Sequence, residues 1–101
     1  MTVLLTALAL IFTPQSEDPR WLTIRPYNAK LERMAWCESR KRWSINTGNG
    51  YYGGLQFDLS TWRSVKGKGY PHRASKLEQK YRAVLLIRKR GYRPWPRCGS
   101  A

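Results

Sequence analysis

Carboxylates are the scarce reactive groups of this chain. Its 101 residues carry 6 Asp plus Glu against 19 Lys plus Arg. Glu17 and Asp18 fall in a polar N-terminal stretch, Glu32 on the solvent face of an expected helix, and Glu78 at the start of another. Glu38 and Asp58 remain as candidates for chemistry. Glu38 stands in "CESRKRW", between a cysteine and a serine that three cations follow. A carboxylate on an apolar helix face loses solvation of its charged form, and the negative end of the helix dipole acts in the same direction. Both keep its proton on, as a general acid requires near neutrality. Arg40, Lys41 and Arg42 oppose this if they point at it. The plainer alternative is a helix-end carboxylate paired with a neighbouring Arg, and local spacing alone favours that alternative. His72 is a lone histidine in a basic loop, with no Ser or Cys nucleophile pattern beside it, and reads as structural or solvated. No phosphate loop, dinucleotide fingerprint or zinc spacing occurs, so no metal and no cofactor is expected.

The elements that would position these groups are legible in the periodicity. Leu31, Met34, Ala35 and Glu38 fall at i, i+3, i+4 and i+7, which predicts a helix from about Asn28, its expected cap, with Glu38 on the apolar stripe. The stretch "INTGNGYYGGLQF", 45–57, is too glycine-rich for a helix, and Asn49-Gly50 predicts a β-hairpin. Asp58 or Ser60 then caps a second helix that turns Leu59, Trp62 and Val65 inward. Ser75 and Glu78 form a capping box for a third helix, which Gly91 ends. The tail "YRPWPRC" is extended by its prolines.

Composition bounds the class of the protein. The net charge is +13, and 13% of the residues are aromatic. An anionic partner follows: nucleic acid, an anionic membrane or a polyanionic wall. The aromatic content supports a compact core of one small domain. Cys37 and Cys98 suggest a disulfide if the chain is exported, against two reduced thiols if it is cytosolic. The apolar run "VLLTALALIF", 3–12, has the length of a signal-peptide core but no basic residue before it and no good cleavage site after it. Residues 1–26 therefore read as a leader-like segment and linker, and residues 27–101 as the folded domain.

One order of residues carries a resemblance. The run "W-C-E-S-x-x-x-W-x-I-N-T-G-N-G-Y-Y-G-G-L-Q-F-x-L-S-T-W", then "G-Y-P-H-x-A-S", then "W-P-x-C", resembles the catalytic domain of resuscitation-promoting factors, small lysozyme-like, transglycosylase-like domains of actinobacteria and some of their phages. It extends from about Met34 to Cys98. The resemblance implies an α+β, mainly helical lysozyme-like fold with a short β-hairpin and one disulfide, Cys37 to Cys98. It implies cleavage of the β-1,4 bond between N-acetylmuramic acid and N-acetylglucosamine in peptidoglycan, with Glu38 as the acid. Tyr51, Gln56, Thr61 and Trp62 fall on substrate-binding positions. The partner implied is bacterial peptidoglycan with its anionic wall polymers, the location the cell wall, the exterior or a phage particle, and the state a monomer. Nucleic acid is not an expected specific partner. The other reading is a basic binding module for wall polymer or nucleic acid, without catalysis. The sequence departs from the pattern at Arg40-Lys41-Arg42, where Gly-Gly-Asn is usual, and at Arg90, where a groove-lining glutamine is usual. Lys66 and Lys68 add to the basic character. The expectation for these cations is that they hold the protein on anionic polymers.

Overall fold

A computed structural model describes residues 18–101. The apolar run expected to be a signal segment lies outside them. Among the described residues four α-helices carry the fold: α1 (Pro19–Ile24), α2 (Asn28–Ser39), α3 (Leu59–Ser64) and α4 (Lys76–Arg90). Short 3-10 turns occur at Arg25–Tyr27, Pro71–Arg73 and Cys98–Ser100. Among the described residues no helix is long and apolar enough to cross a membrane.

The stretch expected to be linker up to Pro26 is helical from Pro19. Asp18 caps α1, accepting from the Arg20 amide at 2.9 Å, and Pro19 occupies the first turn, where its missing N–H costs nothing. Ile24 is fully buried, and α1 packs on α4. A polar, proline-containing composition masked a helix whose buried residues are too few to show a period. Arg20 strengthens this docking by bridging Asp18 and Glu78.

Helix α2 buries Leu31, Met34, Ala35 and Ser39. Its N-cap is Tyr27, not Asn28; the Asn28 side chain instead accepts from Lys80 Nζ of α4 at 2.6 Å. Glu32 receives Lys41, Lys76 and Lys80. Burial pushes its carboxyl up, but the three ammonium groups together hold it down at about 2. Arg40 and Lys41 end the helix in left-handed conformation, φ 57° and 60°. Their amides return to the Trp36 and Ala35 carbonyls at 2.9 and 3.0 Å, so the helix end is satisfied without glycine.

The expected hairpin is not a strand pair. Residues 45–57 form two isolated antiparallel bridges, Asn46 with Tyr52 and Tyr52 with Phe57. The Asn46 and Asn49 side chains accept the amides of Gly48 and Tyr51, both at 3.0 Å. These local turns take amides that a ladder would need. Gly48 and Gly50, at φ 83° and 90°, bend the chain out of the strand region.

Asp58 is the cap of α3, and its Oδ1 accepts the Thr61 amide at 2.8 Å. Ser75 caps α4 by accepting the Glu78 amide at 3.0 Å, and Gly91, φ 66°, ends it. The capping box is half formed, because the Glu78 carboxylate turns to Arg20 and Arg82.

The core joins Leu31, Met34, Leu55, Phe57, Trp62, Leu86 and Trp95. Trp62 is fully buried, meets Phe57 edge-on at 5.1 Å and donates from Nε1 to the Lys68 carbonyl at 3.2 Å. Its expected place on a substrate surface is thus corrected. It is the inward residue of α3, and Gly67 lies so close to its ring that a Cβ there would approach within 2.3 Å.

Candidate active site

Three connections hold the end of α2 in place. Ser39, next to Glu38, donates from Oγ to the Gly54 carbonyl at 2.8 Å. The Gly54 amide donates to Gln79 Oε1 at 2.9 Å, and Gln79 Nε2 donates to the Trp43 and Ala74 carbonyls. Gln79 is fully buried, so it works as a crossbar from α4 to the glycine loop. The third connection is covalent. Cys37 and Cys98 are bonded, with Cα atoms 5.7 Å apart, and this ties the acid's helix to the C-terminal tail.

Gly54 is required by this arrangement. An added Cβ would stand 2.3 Å from the Trp43 ring. Gly54→Ala should therefore cost about 1–3 kcal/mol, read as a lowered urea midpoint at unchanged m-value. An unchanged midpoint would show that Trp43 moves aside freely.

Between α2, the glycine loop, α3 and the tail lies a groove of ≈ 460 Å³. Glu38, Tyr51, Gln56, Asp58 and Thr61 line it, together with Arg90, Arg93, Trp95 and Arg97. Of the residues expected at the site, Glu38, Tyr51, Gln56 and Thr61 come together there and Trp62 does not. Tyr51 is 48% exposed, which leaves its ring free at the groove. Gln56, held at φ 54°, donates from Nε2 to the Gly53 carbonyl at 3.0 Å. His72 is outside the groove, stacked on Tyr52 at 5.4 Å.

The two candidate carboxylates differ in environment. Asp58 is engaged by the cap of α3, taking the Thr61 amide on Oδ1 and the Thr61 hydroxyl on Oδ2 at 3.1 Å. Glu38 is half-buried, and burial pushes its carboxyl up, with Arg97 opposing more weakly. Among the described residues Asp18, Glu32 and Glu78 are all in ion pairs, and Glu38 is in none. The neighbouring cations are occupied elsewhere. Arg40 lies over the Trp36 ring at 5.0 Å, Lys41 pairs with Glu32 at 2.9 Å, and Arg42 Nε donates to the Ser39 carbonyl at 2.8 Å. The cation that does act on Glu38 is Arg97, remote in sequence but adjacent to Cys98. Its one sequence signal is that position beside the bridged cysteine.

Residues 25–98 match the transglycosylase-like domain family. The chain belongs to that family. Similar relatives include resuscitation-promoting factor Rpf of Micrococcus luteus, 57% identical over 69 residues, which cover 68% of this chain and 31% of the relative. RpfE of Mycobacterium tuberculosis is 49% identical over 73 residues, 72% of this chain and 42% of the relative. Rpf1 of Corynebacterium glutamicum is 35% identical over 106 residues, 99% of this chain and 50% of the relative. The chain thus spans half or less of these curated relatives. The transglycosylase-like match runs from the 3-10 turn before α2 through Cys98. It includes every groove-lining residue named above.

Proposed function

We propose that this transglycosylase-like domain cleaves peptidoglycan glycan strands at the β-1,4 bond between N-acetylmuramic acid and N-acetylglucosamine, with Glu38 as the general acid. The observation that carries the reading is the half-buried Glu38 carboxylate in the groove, in no ion pair among the described residues, its proton favoured by burial. A group so placed donates to the glycosidic oxygen as the bond breaks. Tyr51 offers a face for a sugar ring, and Gln56 and Thr61 offer polar edges.

A second carboxylate at a set distance defines the two-acid glycosidases. The engagement of Asp58 in its cap argues for a single-glutamate route instead. Glu38 gives its proton to the leaving oxygen; its carboxylate then takes a proton from the attacking hydroxyl. That hydroxyl belongs to the muramoyl residue itself, which closes a 1,6-anhydro ring, or to water, which leaves a reducing end. The two products differ in mass by one water. Digestion of purified walls should release glycan fragments terminating at muramic acid in one of these forms. Release of peptides without new glycan ends would contradict the reading. The place of action proposed is the bacterial wall.

The pH profile carries a further expectation. The protonated acid is the working form, so activity falls as pH rises through the raised pKa of Glu38. Arg97 pulls that pKa down. Arg97→Gln should therefore move the alkaline limb of kcat/KM to higher pH. A limb that stays in place or moves down would show that Arg97 does not act on the acid.

A further inference from the structure

Arg90, Arg93 and Arg97 line the groove that holds Glu38. All three come from one short segment, the end of α4 and the tail returning to Cys98, and all three are exposed. Among the described residues, Arg20, Lys41, Lys76, Lys80 and Arg82 are in ion pairs with carboxylates, and these three arginines are in none. Arg93 Nε reaches the Arg90 carbonyl at 3.4 Å, a contact that offsets no charge. Asp58, the other acid of the groove, is turned into its own cap. Three like charges in one groove repel one another, and among the described residues no carboxylate forms an ion pair with them. The sugar rings of a β-1,4 amino-sugar strand are neutral; charge on such a strand resides in its substituents. Guanidinium groups match carboxylate and phosphate oxygens in paired, charge-assisted hydrogen bonds.

We propose that Arg90, Arg93 and Arg97 form an anion subsite that selects strands bearing oxyanion substituents beside the bond to be cleaved. The oxyanions are carboxylates of peptide stems or phosphodiesters of polymers attached to the glycan. This rests on the glycan-cleaving reading above. The subsite separates two tasks among the cations of the chain: Arg40, Lys41 and Arg42 close the end of α2, while the tail arginines meet substrate.

The test compares kcat/KM on three substrates: native walls, walls freed of phosphodiester polymers by hydrofluoric acid, and peptide-free glycan strands whose lactyl carboxylates have been amidated. The variant is Arg90→Gln with Arg93→Gln; Arg97 is retained because it also acts on Glu38. A matched change of charge away from the groove, Arg25→Gln with Arg73→Gln, both exposed, controls for long-range attraction. The groove variant should lose about tenfold or more on native walls. The wild-type preference for native over stripped substrate should shrink by the same factor, while the control retains it. A preference abolished by removing peptides assigns the carboxylates; one abolished by removing phosphodiesters assigns the phosphates. Thermal melts check folding, and the single variants, each at an exposed position, report the same ratio if the pair unfolds. An unchanged preference in the groove variant, or an equal loss in the control, overturns the proposal. Failure of the glycan-cleaving reading is distinct: the wild type would then release no glycan fragments from any substrate, and the subsite would fall with it.

Discussion

Replacing Cys37 and Cys98 by serine should lower the unfolding free energy by about 4 kcal/mol, for a bridge with a sequence separation of 61. Small domains have only about 5–15 kcal/mol in total, so the variant should melt far below the wild type. The structure adds a second consequence. Cys37 precedes Glu38, and Cys98 follows Arg97. The bridge therefore fixes the distance between the acid and the cation that opposes its raised pKa. In a variant kept folded at low temperature, kcat should fall and the alkaline limb should move up, as it does for Arg97→Gln. Urea unfolding and a pH–rate profile measured at that temperature check both parts. A serine pair with the wild-type urea midpoint would show that the bridge adds nothing to stability. One with the wild-type profile would show that packing alone holds the tail.

Glu38→Gln should separate activity from stability. It keeps the shape and removes the acid, so kcat should drop by about 10²–10⁴-fold. Stability should move the other way. Burial raises the folded pKa of Glu38 above its ordinary value of 4.5, so the folded state holds the proton more tightly than the unfolded chain. By linkage, the stability this gives is fully present below about pH 4.5 and is lost as pH rises through the folded pKa. A glutamine is neutral throughout and does not lose it. The Tm of Glu38→Gln should match the wild type at acid pH and exceed it at neutral pH. A Tm below the wild type at neutral pH would mean that the ionised carboxylate has a stabilising partner.

Much of this site was legible in the residues. The period of Leu31, Met34 and Ala35 put Glu38 on the inward stripe of α2, and Ser75 and Gly91 marked the ends of α4. Four features were not legible, each for a physical reason. Helix α1 buries only Ile24 fully, so no period betrays it. The glycine loop looks like a hairpin, but its asparagine side chains compete for the amides that strands would pair. The direction of a charged side chain is not encoded by its position along the chain. Arg40, Lys41 and Arg42 follow Glu38 closely in sequence and engage other groups, while the charge that opposes its raised pKa is that of Arg97, beside the other cysteine of the disulfide. Trp62 was misplaced because an aromatic residue in a sugar-binding context serves equally well as core, and only burial separates the two.

The most direct measurement is mass spectrometry of the fragments released from purified peptidoglycan by folded wild type and folded Glu38→Gln at equal concentration. The account predicts muramic-acid-terminated glycan fragments from the wild type and at least about a hundredfold less from the variant. Equal release of the same fragments by both proteins would contradict Glu38 as the acid.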